Sequence, residues 1–167
     1  MTNRTTHAYD GPLALFLIGV RIHQPWRLSV VSQVIRAMPP MIAELERNKA
    51  AAAKGEEESL GYLGSRSTVD LTGTTMIQWW RSTEDIYAYA SSTDHQHREA
   101  WLEFYRRAKA APKALTIWHE TYAVAPGGAE SVYATERPYG LGAVAGVVPV
   151  GRRGETARER IGSNLAS

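Results

Sequence analysis

The sequence predicts an α+β fold with the order strand–helix–strand–strand–helix–strand. Three observations predict it: an apolar run of strand length near the N-terminus, two helical apolar patterns between strand-like segments, and a last strand at 114–124. The chain has 167 residues, enough for one domain with a substantial core. We therefore expect a core domain over 13–125, preceded by a flexible arm (1–12) and followed by an extension (126–167) that packs on the domain or on a partner subunit.

The first half of the pattern begins with "LALFLIGVRI" (13–22), which is apolar on both faces and so predicts a strand covered on both sides. From Ser29 the apolar residues follow helical spacing until Pro39–Pro40, where the helix must kink or restart. Residues 59–70 and 73–82 then predict two strands joined by a short turn.

The second half begins at Ser82, which has capping-box spacing with Asp85 and predicts a helix start. A second cap at Thr93–Asp94 opens another helix, which ends near Pro112. The complete order is that of a ferredoxin-like βαββαβ fold, with helices on one face of a single sheet. A second copy of the chain is the simplest cover for the other face, so we expect a homodimeric α+β barrel.

Composition excludes several classes of protein. The chain has no cysteine, which excludes disulfides, thiolate metal sites and cysteine nucleophiles. A net charge of +2 does not favour a nucleic-acid partner. The apolar run near the N-terminus is too short to span a bilayer, and no signal-peptide pattern is present. We expect a cytoplasmic protein with no membrane partner.

Two histidines are the candidate functional residues. His97 shares one helical stripe with Trp101 and Phe104, so it is expected to face the sheet. His119 lies in the strand "TIWHETYAV" and alternates onto the same face as Ile117 and Thr121. The two imidazoles are therefore expected to face each other across the gap between helix and sheet.

A lone buried histidine is more often a hydrogen-bonded core residue than a ligand, but two that face one gap favour a function. Two histidines without cysteine make a poor zinc site unless a glutamate joins them. A flat, aromatic-lined gap with one axial imidazole is better suited to haem. In that interpretation one of the two imidazoles holds the haem iron, and Trp101 and Phe104 of the helical stripe contact the cofactor.

The segments "LIGVRI…AMPPM", "QWWRSTEDIYAYAS…HREAW.EF.RR" and "IWHETY.V" resemble a family of small monooxygenases that includes a member from fumagillin biosynthesis. That family is grouped with the antibiotic-biosynthesis-monooxygenase-like dimeric α/β barrels. The resemblance covers nearly the whole chain. It implies the same fold, an oxidoreductase activity and a role in secondary metabolism.

A second, local resemblance links "YAYASSTDHQHREAWLEFYRR" and "LTIWHETYAV" to the C-terminal part of haem-containing aldoxime dehydratases. It implies haem b, with His97 as the proximal ligand and His119 as the distal acid or base. A distal serine has three candidates here, Ser65, Ser67 and Thr75. Aldoxime dehydratases are much longer chains with two such modules.

Three functions remain open from the sequence. The first is a haem-dependent enzyme, monooxygenase-like or aldoxime-dehydratase-like, in which His119 transfers a proton to a small hydrophobic or secondary-metabolite substrate. The second is a cofactor-independent monooxygenase of the same fold. The third is a non-catalytic dimeric ligand-binding module. The expected substrate pocket comprises Trp79, Arg81, Ile117 and Thr121.

Overall fold

The structure is a computed structural model that describes residues 4–27, 29, 31–32, 36, 38–92, 102–103, 105–106 and 109–162. In chain order, the elements assigned within these ranges are β1 (Thr5–His7), β2 (Leu13–Ile22), α1 (Met38–Ala53), β3 (Tyr62–Asp70), β4 (Gly73–Trp80), α2 (Thr83–Ser91), β5 (Leu115–Val124), α3 (Leu141–Ala145), β6 (Val147–Pro149), a 3-10 turn (Val150–Arg152) and α4 (Ala157–Arg160).

The central sheet has the strand order β3-β4-β2-β5, and all neighbouring strands are antiparallel. This order confirms the predicted ferredoxin-like α+β fold. Strand β2 lies inside the sheet, where Ala14 pairs with Trp80 on one side and with Ala123 on the other. Cross-strand partners share a face of the sheet, so this register fixes which side chains point toward the helices.

Helices α1 and α2 begin where the sequence predicts. Helix α1 begins at Met38, and Pro39–Pro40 occupy its first turn, where a backbone N–H has no helical acceptor to lose. Helix α2 follows Ser82, whose Oγ accepts the backbone N–H of Asp85 at 3.0 Å, as the capping-box spacing predicts. The second predicted cap, at Thr93–Asp94, lies outside the described residues.

The N-terminal arm differs from expectation. Residues 5–7 form β1, which pairs antiparallel with β6, and Thr6 and His7 are buried. The prediction of a flexible arm is wrong for these residues, because a three-residue strand whose partner lies some 140 positions away leaves no local pattern. Arg153 stabilises the pairing of β1 with β6 by donating hydrogen bonds to the carbonyl oxygens of His7 and Tyr9 at 3.0 and 2.7 Å.

The extension packs along the domain on the face of the sheet opposite α1 and α2. Leu141 of α3 is buried against Leu13 and Trp79. Polar contacts hold this segment as well: the Ser131 Oγ lies 2.7 Å from His7 Nδ1, and Arg160 Nε donates to Glu130 at 2.8 Å. Among the residues that the structure describes, no helix is both long and apolar enough to cross a membrane.

Candidate active site

A cavity of about 190 Å³ lies between the sheet and helices α1 and α2. We call it the histidine cavity. It exists because the helices contact the sheet through large side chains, such as Leu45 and Tyr89, with open space between them. The lining residues are Phe16, Ile18, Met38, Met41, Ile42, Leu45, Gln78, Trp80, Ile86, Tyr87, Tyr89, Ala90, Tyr105, His119 and Thr121.

A second cavity of about 560 Å³ adjoins it toward β3, and we call it the serine cavity. The two cavities share Ile18, Met38 and Ile42, so side chains of α1 stand between them. The serine cavity also contains Ser65, Ser67 and Thr75, the three candidates for a distal serine; its other lining residues are Gly19, Val20, Pro39, Ala43, Val69, Thr74 and Met76.

His119 lines the histidine cavity, on the face of β5 that sequence alternation predicts. It pairs with Ile18 across β2 and β5, on the helix-facing side, and its ring lies 5.8 Å from the ring of Phe16. The side chain is exposed, which makes it accessible to solvent as well as to the cavity. Within the described ranges, neither ring nitrogen has a hydrogen-bond partner. An imidazole so placed is able to exchange a proton with both water and a bound molecule.

One wall of the histidine cavity is an aromatic cluster around Trp80. The rings of Tyr62 and Tyr89 lie 5.4 and 5.6 Å from the ring of Trp80. Burial is the main cause that raises the pKa of both tyrosines well above its usual range, and their glutamate neighbours Glu46 and Glu44 act in the same direction. Both phenols therefore stay protonated at neutral pH, and they tie the sheet and α2 to α1 by hydrogen bonds to these glutamates.

The structure separates the residues of the expected substrate pocket. Thr121 lines the histidine cavity, as predicted. Ile117 shares that face but packs in a neighbouring apolar cluster with Ile18 and Leu115. Trp79 lies on the opposite face, against Leu13 and Leu141, because it alternates with the cavity residue Trp80.

Arg81 lies beyond the end of β4, away from the cavity lining. Its guanidinium lies 3.6 Å from the carboxylate of Asp85 and donates to the carbonyl oxygen of Ser59. Glu120, on the other face of β5 from His119, accepts a hydrogen bond from the hydroxyl group of Tyr122. The expected cofactor residues His97, Trp101 and Phe104 lie outside the described residues.

Sequence reasoning missed Gln78, the buried polar residue of the histidine cavity. Gln78 is 5% exposed and lies between Met76 and Trp80 on the helix-facing side of β4. Its signal was present: counting by two from Trp80 places a glutamine on the inward face of an otherwise apolar strand. Within the described part of the chain, no group of three or more His, Asp or Glu is arranged to hold a metal ion.

Comparison with known proteins gives a family and a fold. A model of the family described as monooxygenase af470-like matches residues 13–141. No curated protein is similar enough in sequence to match the chain.

Several solved structures are similar to this chain at low sequence identity, and the aldoxime dehydratase among them shares its fold. The aldoxime dehydratase OxdRE, solved with butyraldoxime, is 15% identical with a TM-score of 0.58, and the match covers 78% of this chain but 36% of that one. SnoaB, a cofactor-independent oxygenase from Streptomyces nogalater, is 11% identical with a TM-score of 0.37, over 67% and 92% of the two chains. An antibiotic-biosynthesis-monooxygenase-like protein from Chloroflexus aurantiacus is 13% identical with a TM-score of 0.33, over 66% and 91%. This chain thus corresponds to about a third of the aldoxime dehydratase.

Proposed function

The chain belongs to the monooxygenase af470-like family, and we propose that it is a haem-dependent enzyme, monooxygenase-like or aldoxime-dehydratase-like, whose small hydrophobic substrate binds in the histidine cavity. One observation carries the proposal. The imidazole of His119 borders an apolar, aromatic-lined cavity, and no protein group in the described ranges engages either of its nitrogens.

His119 is the proton donor or acceptor in this proposal. Its ring stands beside that of Phe16 at the level of Ile18, so a molecule lying on these two side chains is within reach of the imidazole. General acid–base catalysis requires a group that titrates near the working pH and lies within hydrogen-bond reach of the reacting atom. Solvent access lets the ring recover its protonation state after each turnover.

The chemistry of the described walls supports the proposal of haem. The cavity presents flat apolar and aromatic surface, from Phe16 on the sheet side and from Met38 and Ile42 of α1. His97 would hold the iron, Trp101 and Phe104 would contact the ring, and His119 would face it from the sheet. Haem supplies an iron centre that binds small oxygen or nitrogen ligands. The chain supplies an apolar wall and a proton at His119.

An absorption spectrum of the protein expressed with added haem precursor tests this proposal. We expect a Soret band that is lost in His97→Ala and kept in His119→Ala, with turnover lost in both. His23→Ala is the matched control, because His23 is exposed and bonds to Thr116, outside the histidine cavity. A colourless wild-type protein, or a band unaffected by His97→Ala, would contradict the haem assignment.

A cofactor-independent oxygenase is the second candidate, favoured by the pairing of one buried amide and one imidazole on the same apolar wall. Gln78 and His119 alone are suited to bind and deprotonate an electron-rich aromatic substrate. Oxygen uptake by colourless protein with a dihydroxynaphthalene, abolished in His119→Ala, would select this candidate. Protein that is colourless and inert toward that substrate would favour a ligand-binding module.

We also infer a homodimer formed through the sheet face opposite the helices. The extension covers part of this face at Trp79, but Tyr122 is 51% exposed and Leu17 and Trp118 are partly exposed beside it. A second copy would bury these apolar side chains, together with Glu120 in its hydrogen bond to Tyr122, and complete a barrel. Sedimentation should give a dimer for wild type and a monomer for Leu17→Arg, whereas a monomeric wild type would contradict the inference.

A further inference from the structure

Gln78 carries a hydrogen-bonding group for which the described protein provides no strong partner. The side chain is buried at 5% exposure and lines the histidine cavity. Buried polar groups in folded proteins are normally paired, so an unpaired one at a cavity wall calls for a specific explanation. The explanation depends on which end of the amide faces the cavity.

Trp80 fixes the orientation of that amide. An indole N–H is only a donor, so the atom of Gln78 that lies 3.0 Å from Trp80 Nε1 must be the carbonyl oxygen. The amino group therefore occupies the other position. Its contact there is the thioether sulfur of Met76 at 3.4 Å, a weak acceptor, and an amide nitrogen carries two protons. At least one N–H of Gln78 has no acceptor among the described residues.

The register of the sheet places this donor relative to His119. Gln78 pairs with Phe16, and Phe16 pairs with Thr121 on its other side. His119 lies two positions before Thr121 on the same strand and faces the same side. Gln78 is level with Phe16 and His119 is level with Ile18, on strands two spacings apart, so their backbones are separated diagonally by about 12 Å. A flat molecule of two fused rings that rests on Phe16 would lie between the two side chains.

We propose that Gln78 is a substrate-specificity residue that donates its free N–H to an oxygen acceptor of the substrate. The substrate class is then a flat hydrophobic molecule with a carbonyl or phenolic oxygen at one end, whose other end faces His119. The acceptor must belong to the ligand because the carbonyl oxygen of Gln78 is already engaged by Trp80. This inference rests on the histidine cavity being the substrate site.

A matched pair of probes tests the donor directly. 1-Tetralone and tetralin have the same fused-ring skeleton and differ by one carbonyl oxygen. Their Kd values, measured by calorimetry for wild type and variants, give a ketone preference as the ratio of the two. Gln78→Met removes the N–H donors and keeps a side chain of similar length, and Gln78→Leu removes them with a branched apolar side chain. We expect either change to lower the ketone preference by roughly threefold to tenfold, the usual range for one neutral hydrogen bond.

Gln24→Met is the matched control, since it makes the same change at a partly buried glutamine that does not line the histidine cavity. Its ketone preference should equal that of wild type. Binding of tetralin by each variant shows that the cavity is intact. If the Gln78 variants do not fold, the infrared carbonyl stretch of 1-tetralone bound to the wild-type protein tests the proposal instead. A hydrogen bond lowers the frequency of this stretch below its value in alkane solution. A ketone preference unchanged in the variants, or a stretch at the alkane position, would overturn the proposal.

The outcome of this binding test is independent of the outcome for the proposed function, because the binding of 1-tetralone and of tetralin is measured without turnover. Ketone preference that depends on Gln78 in a protein without a Soret band would support this inference and contradict the haem assignment. A Soret band that depends on His97, with no Gln78-dependent preference, would do the reverse.

Discussion

The two faces of the central sheet bury polar groups in different ways. On the face toward α1 and α2, the Gln78 amide has an indole and a thioether as neighbours, and the ring of His119 borders a cavity without a protein partner in the described ranges. On the opposite face, the arm and extension bury His7, Arg153 and Arg160, and each makes named hydrogen bonds.

This difference distinguishes polar groups that stabilise the fold from polar groups that are available to a ligand. A buried polar group that is paired contributes to stability, whereas an unpaired one costs free energy in the free protein. The paired groups of the second face therefore need no role beyond holding the arm and extension to the sheet. The underused donor of Gln78 is explained if a ligand completes its hydrogen bonding. Mutations on the two faces should accordingly differ in whether they affect stability or ligand binding.

The largest expected loss of stability is for Arg153→Met. The Arg153 side chain is 1% exposed, pairs with Asp10, and donates to two backbone carbonyl oxygens of the arm. Its removal leaves these acceptors without their donor, so we expect urea denaturation to show a free energy of unfolding lower by about 3 kcal/mol. Arg158→Met changes an exposed arginine of the same extension and should stay within about 0.5 kcal/mol. Equal effects of the two changes would contradict the assigned role of Arg153.

His7 and His119, which lie on opposite faces of the central sheet, provide a sharper comparison. His7 is 2% exposed, with Nδ1 2.7 Å from Ser131 Oγ, so His7→Ala should lower the free energy of unfolding by about 2 kcal/mol through lost packing and hydrogen bonding. His119→Ala should change it by less than about 0.5 kcal/mol and abolish turnover. Similar stability losses for the two variants would mean that His119 is a structural residue.

A smaller effect is expected from pH. Burial first, and then the charge of Arg153, lowers the pKa of His7 below 6.5, while Asp10 and Glu130 oppose the shift. As the pH falls below 6.5, the unfolded chain binds a proton at His7 before the folded chain does, so the free energy of unfolding decreases until the folded state also protonates. Urea titrations should show this decrease in wild type and His119→Ala but a smaller one in His7→Ala. Identical pH profiles of stability for wild type and His7→Ala would contradict the assignment of this decrease to His7.

The core of the fold was predictable because its signals are local. Strand β2 has the predicted bounds Leu13–Ile22, and Ser82 caps α2 through Asp85 as its spacing indicates. Strand β1 was not predictable, because its three residues pair with β6 near the other end of the chain. Arg153 gave no signal in sequence for the same reason: its acceptors lie in the arm.

The candidate site was predicted in part. Alternation correctly placed His119 and Thr121 on the helix-facing side. The choice of Trp79 was wrong, because adjacent tryptophans of one strand point to opposite faces and Trp80 is the one that lines the cavity. Alternation indicates that Gln78 faces inward, but its hydrogen bond to Trp80 is a side-chain contact that no spacing rule reports.

The crystal structure of the protein with bound 1-tetralone tests the central claim most directly. The account predicts the ligand in the histidine cavity, lying on Phe16, with its carbonyl oxygen within hydrogen-bond distance of Gln78 Nε2 and its far ring edge toward His119. Density for the ligand on the opposite face of the sheet, against Trp118 and Tyr122, would contradict it.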